Sequence, residues 1–211
     1  MKKLFILISF LPLLPCLVRA QTTNDYSRSL QVAVEALYVN ADYQGQSPVI
    51  RYSALYTKLL PNTRWVVENG LSFTDRYTKD RFYTSNVFWI DNRSQLVTAD
   101  LTFLFNLLTS KHHAIYIGAG PSLWFLRNGT THDVTGIANS SGVIESVSYR
   151  RAYTSDFDIG VNLRAKYEYS LTSRLVAGVR LGLGGNLLKG TGEGTLYGSL
   201  STVGVSVGYR F

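Results

Sequence analysis

From residue 29 to the C-terminus, apolar side chains recur at every second position over successive stretches separated by short polar segments. The last stretch is the cleanest. In Thr195 to Phe211, Tyr197, Val203, Val205, Val207, Tyr209 and Phe211 hold odd positions, while Gly198, Thr202, Gly204, Ser206, Gly208 and Arg210 hold even ones. Successive side chains of a strand point to opposite sides, so this segment has one apolar, aromatic-ended face and one small or polar face. The small face is too glycine-rich to build a globular core and the large face carries no charge. That pairing fits lipid on one side and a narrow lumen on the other.

Seven earlier stretches repeat the alternation. Strand one, 29–39, sets Leu30, Val32, Val34, Ala36 and Tyr38 against Gln31 and Glu35, and strand two, 49–59, sets Ile50, Tyr52, Ala54 and Tyr56 against Arg51, Ser53 and Thr57. Strand three, 64–75, sets Trp65, Val67, Leu71 and Phe73 against Arg64, Glu68, Ser72 and Thr74; Asn69 spoils the apolar face, which calls for an interface position or a bulge. Strand four, 94–106, sets Val97, Ala99, Leu101, Phe103 and Phe105 against Thr98, Asp100 and Thr102. Strand five, 114–127, is apolar on both faces and contains Pro121, whose missing donor predicts a bulge or a place at the upper rim. Strand six, 153–169, alternates Phe157, Ile159, Val161, Leu163, Ala165, Tyr167 and Tyr169 with Asp156, Asp158, Asn162, Arg164, Lys166 and Glu168. Neither a soluble core nor a lipid face accepts so many charges, so solvent or a polar lumen must receive them. Strand seven sets Leu175, Ala177, Val179, Leu181 and Leu183 against Gly178, Arg180, Gly182 and Gly184.

The connections also alternate. Those at 60–63, 107–113 and 170–173 are short, those at 40–48, 76–93 and 127–149 are longer and read as loops, and 186–194 closes the last hairpin. Short turns on one side and long loops on the other are the asymmetry of outer-membrane barrels. The pattern predicts an all-β fold, an eight-stranded antiparallel up-and-down transmembrane β-barrel.

The opening MKKLFILISFLPLLPCLVRA joins Lys2 and Lys3 to an apolar run and ends in small residues, predicting a cleaved signal peptide over residues 1–20, with cleavage between Ala20 and Gln21. A retained membrane helix would need about 20 apolar residues, and Pro12 and Pro15 interrupt this run. A lipoprotein acylated at Cys16 is a minor alternative, because Pro15 stands where processing prefers a small residue. Cleavage removes the single Cys, and with it any disulfide scaffold. It also lowers the net charge from +7 to +4 through loss of Lys2, Lys3 and Arg19. The remaining cations are spread along the chain, so nucleic acid is not an expected partner. At about 10 residues per crossing, residues 21–211 are accounted for by one barrel domain.

The GAGPSLWFL of strand five, Gly118 to Leu126, and the terminal GYRF, Gly208 to Phe211, resemble the small bacterial outer-membrane β-barrel family of the OmpX, OmpW and PorT-like kind. That family contains adhesins, transporters and secretion factors. The resemblance implies residence in the bacterial outer membrane, surrounded by lipid and lipopolysaccharide. The closing aromatics Tyr209 and Phe211 resemble the assembly signal of such barrels, which implies the barrel-assembly machinery as a partner.

The inward faces carry the acids Glu35, Glu68, Asp100, Asp156, Asp158 and Glu168 and the bases Arg51, Arg64, Arg164, Lys166, Arg180 and Arg210. An eight-stranded barrel is just wide enough for side chains to fill it, so these charges are expected to neutralise one another in a sealed interior. The functional alternative is a narrow polar path with Asp156 and Asp158 near the outer mouth. Catalysis has thin support: His112 and His113 fall in an inner turn, on the wrong side for a lipid A-modifying site, and His132 stands beside Asp133 in the longest loop. No metal, cofactor or phosphate-loop spacing is present, and Asn92, Asn128 and Asn139 match the glycosylation triplet only by chance. Trp65, Tyr167, Tyr169, Tyr209 and Phe211 are expected to form an aromatic girdle at the inner interface. The leading function is a non-enzymatic surface barrel acting through its outer loops, and small-solute transport is the second.

Overall fold

The computed structural model describes residues 27–39, 48–61, 63–83, 87–110, 112–187 and 198–211. The signal segment with Ala20 and Gln21, the connection at 40–47 and the chain at 188–197 lie outside the described residues.

Eight strands follow in chain order: β1 (Arg28–Val39), β2 (Val49–Leu59), β3 (Trp65–Tyr83), β4 (Val87–Thr109), β5 (His113–Ala138), β6 (Ile144–Ser170), β7 (Leu175–Asn186) and β8 (Ser199–Arg210). Each pairs antiparallel with its sequence neighbour, and β8 returns to β1 to close the barrel. In the closing seam Val32 stands opposite Val207 and Val34 opposite Val205. Arg28 and Phe211 exchange backbone hydrogen bonds at its end, 2.9 Å and 3.2 Å long.

The alternation read from the sequence sorts the wall. Each strand contributes an outward apolar residue at mid-height, among them Val32, Tyr52, Leu71, Phe103, Ile117, Leu163, Leu181 and Val205, all exposed. Most of their neighbours in sequence are buried: Leu163 is 52% exposed and Arg164 7%. So large a contiguous apolar belt on an isolated chain marks a lipid-facing surface. At the end of the wall that carries the short turns, Trp65, Tyr167, Tyr169, Tyr209 and Phe211 are all exposed.

Two local expectations are corrected and a third is narrowed. The segments at 76–93 and 127–149 are not loops: β3 and β4 stay paired up to Tyr83 and Val87, and β5 and β6 up to Ala138 and Ile144. A two-stranded ribbon standing in water has no face that must be apolar, so its strands carry no hydrophobic period to read. Of the two readings of Asn69, the bulge falls: it lies in regular register between Tyr56 and Leu101, exposed on the outer face, in the cross-strand row that leads through Tyr56 and Leu30 to Tyr209. Pro121 is neither at a bulge nor at the rim. It stands opposite Val161 in unbroken register with β6, while the pairing with β4 skips Gly120 and Pro121 without a shift; the shifts fall at Asn106/Leu108, His132/Thr135 and Ile137/Ala138.

The wall around Pro121 is adapted to it. The Asn162 amide donates to the carbonyls of Gly120 and Pro121, both at 3.1 Å, and its oxygen accepts from Thr102 at 2.7 Å. Gly118 and Gly120 let β5 approach β4 closely, since a Cβ on either would collide with the carbonyl of Phe103 or Leu101.

Arginine at Leu163, in the middle of the belt, is expected to destabilise the folded protein in lipid vesicles by about 2–4 kcal/mol. Arginine at Ile137, exposed on the distal ribbon, is expected to cost less than about 0.5 kcal/mol. Urea unfolding of the two variants measures the difference, and equal costs would refute the assignment of belt and ribbon.

Candidate functional site

The barrel interior is the first place where function could reside, and every strand lines it. Glu35 (β1) meets the Nε of Arg51 (β2) at 3.5 Å, and Arg51 Nη2 meets Asp100 (β4) at 3.0 Å. Arg164 (β6) closes this ring, with Nη2 at 2.9 Å from Asp100 and Nη1 at 3.8 Å from Glu35. Arg180 (β7) lies 3.4 Å from Glu35 and grips Glu68 (β3) with two bonds of 2.7 Å and 3.1 Å. Lys166 then bridges Glu68 and Glu168, 2.9 Å from each, and Arg210 (β8) takes the other oxygen of Glu168 at 3.1 Å. Hydroxyls and amides complete the set: Ser53 donates to Glu35, Ser122 (β5) to Asp100, and Gln31 to Glu168.

Nine of the twelve inward charges named from the sequence thus form one continuous chain of ion pairs crossing the lumen. Of the remaining three, Asp158 is buried nearer the outer mouth and accepts from Asn186 at 3.1 Å. Asp156 is half-buried one inward position beyond it, and Arg64 is half-buried in the turn before β3. Burying charges costs several kcal/mol per ion unless each is paired and hydrogen-bonded, and here both conditions are met.

Apolar side chains cover the network at each end. On the outer side Leu37, Leu96, Trp124, Leu126 and Leu200 pack together inside the barrel, with Val39 against them. On the inner side Val66, Leu104 and Tyr116 do the same, with Leu59 and Ala114. These caps were not anticipated, although strand parity could have revealed them: Leu37 shares a face with Glu35, Leu104 with Asp100, and Trp124 with Ser122. Trp124 joins cap to network by donating its indole N–H to Ser122 at 2.9 Å. Arg76 was also missed, because it falls in the segment read as loop; it is 4% exposed and continues the inward face beyond Thr74.

Glycines make room for this filling. A Cβ at Gly182 would collide with the guanidinium of Arg164, and one at Gly204 with the carbonyl of Val34 and the side chain of Glu35. Gly182 and Gly204 are therefore spaces into which Arg164 and Glu35 of neighbouring strands extend.

The second candidate region is the outer rim, where the long hairpins leave the wall. On the outward face Phe73, Val97, Phe125 and Phe157 form one cross-strand row over β3 to β6. One register step outward come Asp75, Gln95, Arg127 and Ser155, and one further step brings Tyr77, Arg93, Gly129 and Tyr153. Arg127 lies 4.5 Å over the Tyr153 ring, Arg93 5.2 Å over Tyr77, and Arg151 6.0 Å over Tyr149. Arg93 also donates to both oxygens of Asp75, and that bonding raises its pKa above the ordinary value.

The histidines are scattered. His112 and His113 lie at the inner end beside Tyr167 and Tyr169, with His113 Nδ1 2.7 Å from the Tyr167 hydroxyl. His132 is exposed on the outer ribbon, 3.0 Å from Thr130 Oγ1. Asn139 serves the tip turn, where its side-chain oxygen accepts from the backbone N–H of Ser141 and Val143. Among the described residues no group of three His, Cys, Asp or Glu could hold a metal.

No protein-family model matches the chain, and no curated protein matches it. Solved structures do. A major outer membrane protein from Thermus thermophilus is 14% identical with a TM-score of 0.59, over 88% of this chain and 98% of that one. Ail, the attachment invasion locus protein of Yersinia pestis, in complex with the heparin analogue sucrose octasulfate, is 13% identical with a TM-score of 0.51, over 88% and 97%. At such identities the likeness is one of fold, and the chain has the fold of these small outer-membrane β-barrels.

Replacing Arg180 by Met removes a cation shared by Glu35 and Glu68, and is expected to lower stability by about 3–5 kcal/mol. Replacing Arg93 by Gln, at the solvated rim, is expected to leave the urea midpoint unchanged. Equal midpoints for the two variants would show that the buried chain of ion pairs does not hold the wall together.

Proposed function

We propose that this protein is an integral outer-membrane barrel with a sealed interior, whose work is done by the two hairpins β3–β4 and β5–β6 outside the cell. One contrast carries the reading: the lumen is filled from inner cap to outer cap, while these two hairpins alone among the described strands rise well beyond the wall. β1, β2, β7 and β8 have 12, 11, 12 and 12 residues, but β5 and β6 have 26 and 27. Beyond Gly129 and Tyr153, β5 and β6 continue as a ribbon of roughly ten residues per strand, about 30 Å at strand rise. A projection of that length adds nothing to closing the wall and offers an extended outer surface.

The crystal structure of Ail with a heparin analogue supports the idea that a barrel of this build can present a ligand-binding surface. Small-solute transport has less support, because a path past Asp156 and Asp158 would have to cross the cluster around Leu96 and Trp124. Lipid A chemistry at His132 has less support, because its pairing with the Thr130 hydroxyl at 3.0 Å lies on an exposed stretch of ribbon. Tyr209 and Phe211, at the inner end of the closing strand, are proposed as the signal read by the barrel-assembly machinery.

The mature protein has no cysteine of its own once the leader is removed, which permits a clean test. Ser141→Cys, in the β5–β6 tip, should react with a membrane-impermeant maleimide on intact cells. Ser173→Cys, in the β6–β7 turn, should react only after the outer membrane is permeabilised. The detergent-folded protein should shift in electrophoretic mobility on boiling and give no steady single-channel current. Reversed labelling would overturn the topology, and steady conductance would transfer the function to transport.

A further inference from the structure

One side chain of the apolar belt is unsuited to hydrocarbon. Asn69 is exposed on the outward face of β3, four residues beyond Trp65 and four before Phe73, so about 13 Å of strand separates it from each. Its cross-strand row climbs as it passes round the tilted wall. In one direction the row meets β8 at Tyr209, near the inner end; in the other it passes Leu101, Val161 and Gly185 and meets β8 at Ser199, at the outer end. Asn69 therefore stands above the level of Tyr209, within the belt. Among the described residues no other Asn or Gln occupies the outward face on the inner side of the row formed by Phe73, Val97, Phe125 and Phe157. Nor does the Asn69 side chain hydrogen-bond to any described residue. A carboxamide facing acyl chains has lost its bonds to water and gained none, a costly state unless a protein neighbour supplies them.

The surroundings of Asn69 suit close approach. Leu71, one register step outward, is flanked by Ala54 and Ala99, and all three are exposed. With strands tilted by about 40° and rows climbing accordingly, Ala99 comes nearly straight above Asn69 along the membrane normal. We propose that this face is the contact between two copies of the chain in one membrane, their Asn69 carboxamides hydrogen-bonded to each other across a two-fold axis along that normal. The axis selects the occupant, because it sets every group against its own copy at equal depth. A carboxamide both donates and accepts, so Asn69 is satisfied by a second Asn69 and needs no other partner. Ala99 falls on the same axis and lets the two walls approach, while Leu71 of each copy packs beside Leu101 of the other. Small residues and a bonded polar side chain are what hold proteins together in lipid, where burial of apolar surface gains little. Lys58 lies one row further in, exposed at the inner rim, where its long side chain reaches headgroup water. The assignment rests on the membrane reading given above.

The test uses the full mature protein, first checked for its mobility shift on boiling so that failure of the barrel reading is detected separately, and then diluted into lipid vesicles. Oxidation with copper phenanthroline should cross-link Ala99→Cys into a dimer at low protein density. Leu181→Cys, exposed on β7 across the barrel, should stay monomeric. Energy transfer between labelled copies then measures association. Asn69→Leu is expected to weaken it about tenfold while leaving the mobility shift intact. Asn69→Gln, which keeps the carboxamide, should retain most of it, and Ala99→Phe, which suits lipid but fills the axis, should weaken it as Asn69→Leu does. Equal cross-linking at positions 99 and 181, or association indifferent to both Asn69→Leu and Ala99→Phe, would overturn the contact. A purified protein that stays monomeric in vesicles, yet cross-links through position 99 to a different protein in native membranes, would overturn its assignment to a second copy.

Discussion

A wall of eight strands encloses a space about one layer of side chains wide, and that space must be filled. Everything inside this barrel follows from that restriction. Long side chains reach across it: Arg180 from β7 to Glu68 on β3, and Arg164 from β6 to Asp100 on β4. Because water cannot solvate these groups, each has to find its counter-charge on another strand, so the chain of ion pairs ties together strands that never touch along their edges. The glycines of β7 and β8 belong to the same solution, since space left at Gly182 is space taken by Arg164.

The apolar caps give the ion pairs their setting. Leucines and Trp124 above, and Leu104 with Val66 and Tyr116 below, keep the charged layer in a low-dielectric environment. Attraction between charges is stronger there, and any unpaired member is correspondingly costly. The barrel is thus layered along its axis, with polar contents held between two greasy closures.

How much of this could be read from the residues depended on what each face had to satisfy. The wall was legible because lipid outside and charge inside force a period of two, as in Phe157 to Tyr169 of β6. The caps were not, because Leu96 and Leu104 are apolar residues on the inward face and look like continuations of the outer belt. The ribbons were not legible either, because a hairpin with water on both sides is held by ladder hydrogen bonds, which leave no mark on the hydrophobic pattern. Pro121 predicted a bulge, and the wall keeps its register instead: the β4–β5 pairing skips Leu101 and Thr102 beside it, and Asn162 donates to the carbonyls of Gly120 and Pro121.

The seam between β1 and β8 bears on how such a wall can form at all. It joins the first strand of the barrel to the last, so its pairings have the greatest sequence separation in the molecule. Until Ser199–Arg210 is in place, β1 has one unpaired edge, which lipid cannot satisfy. Closure is therefore the most non-local pairing of the fold, and it cannot begin before the last strand is available.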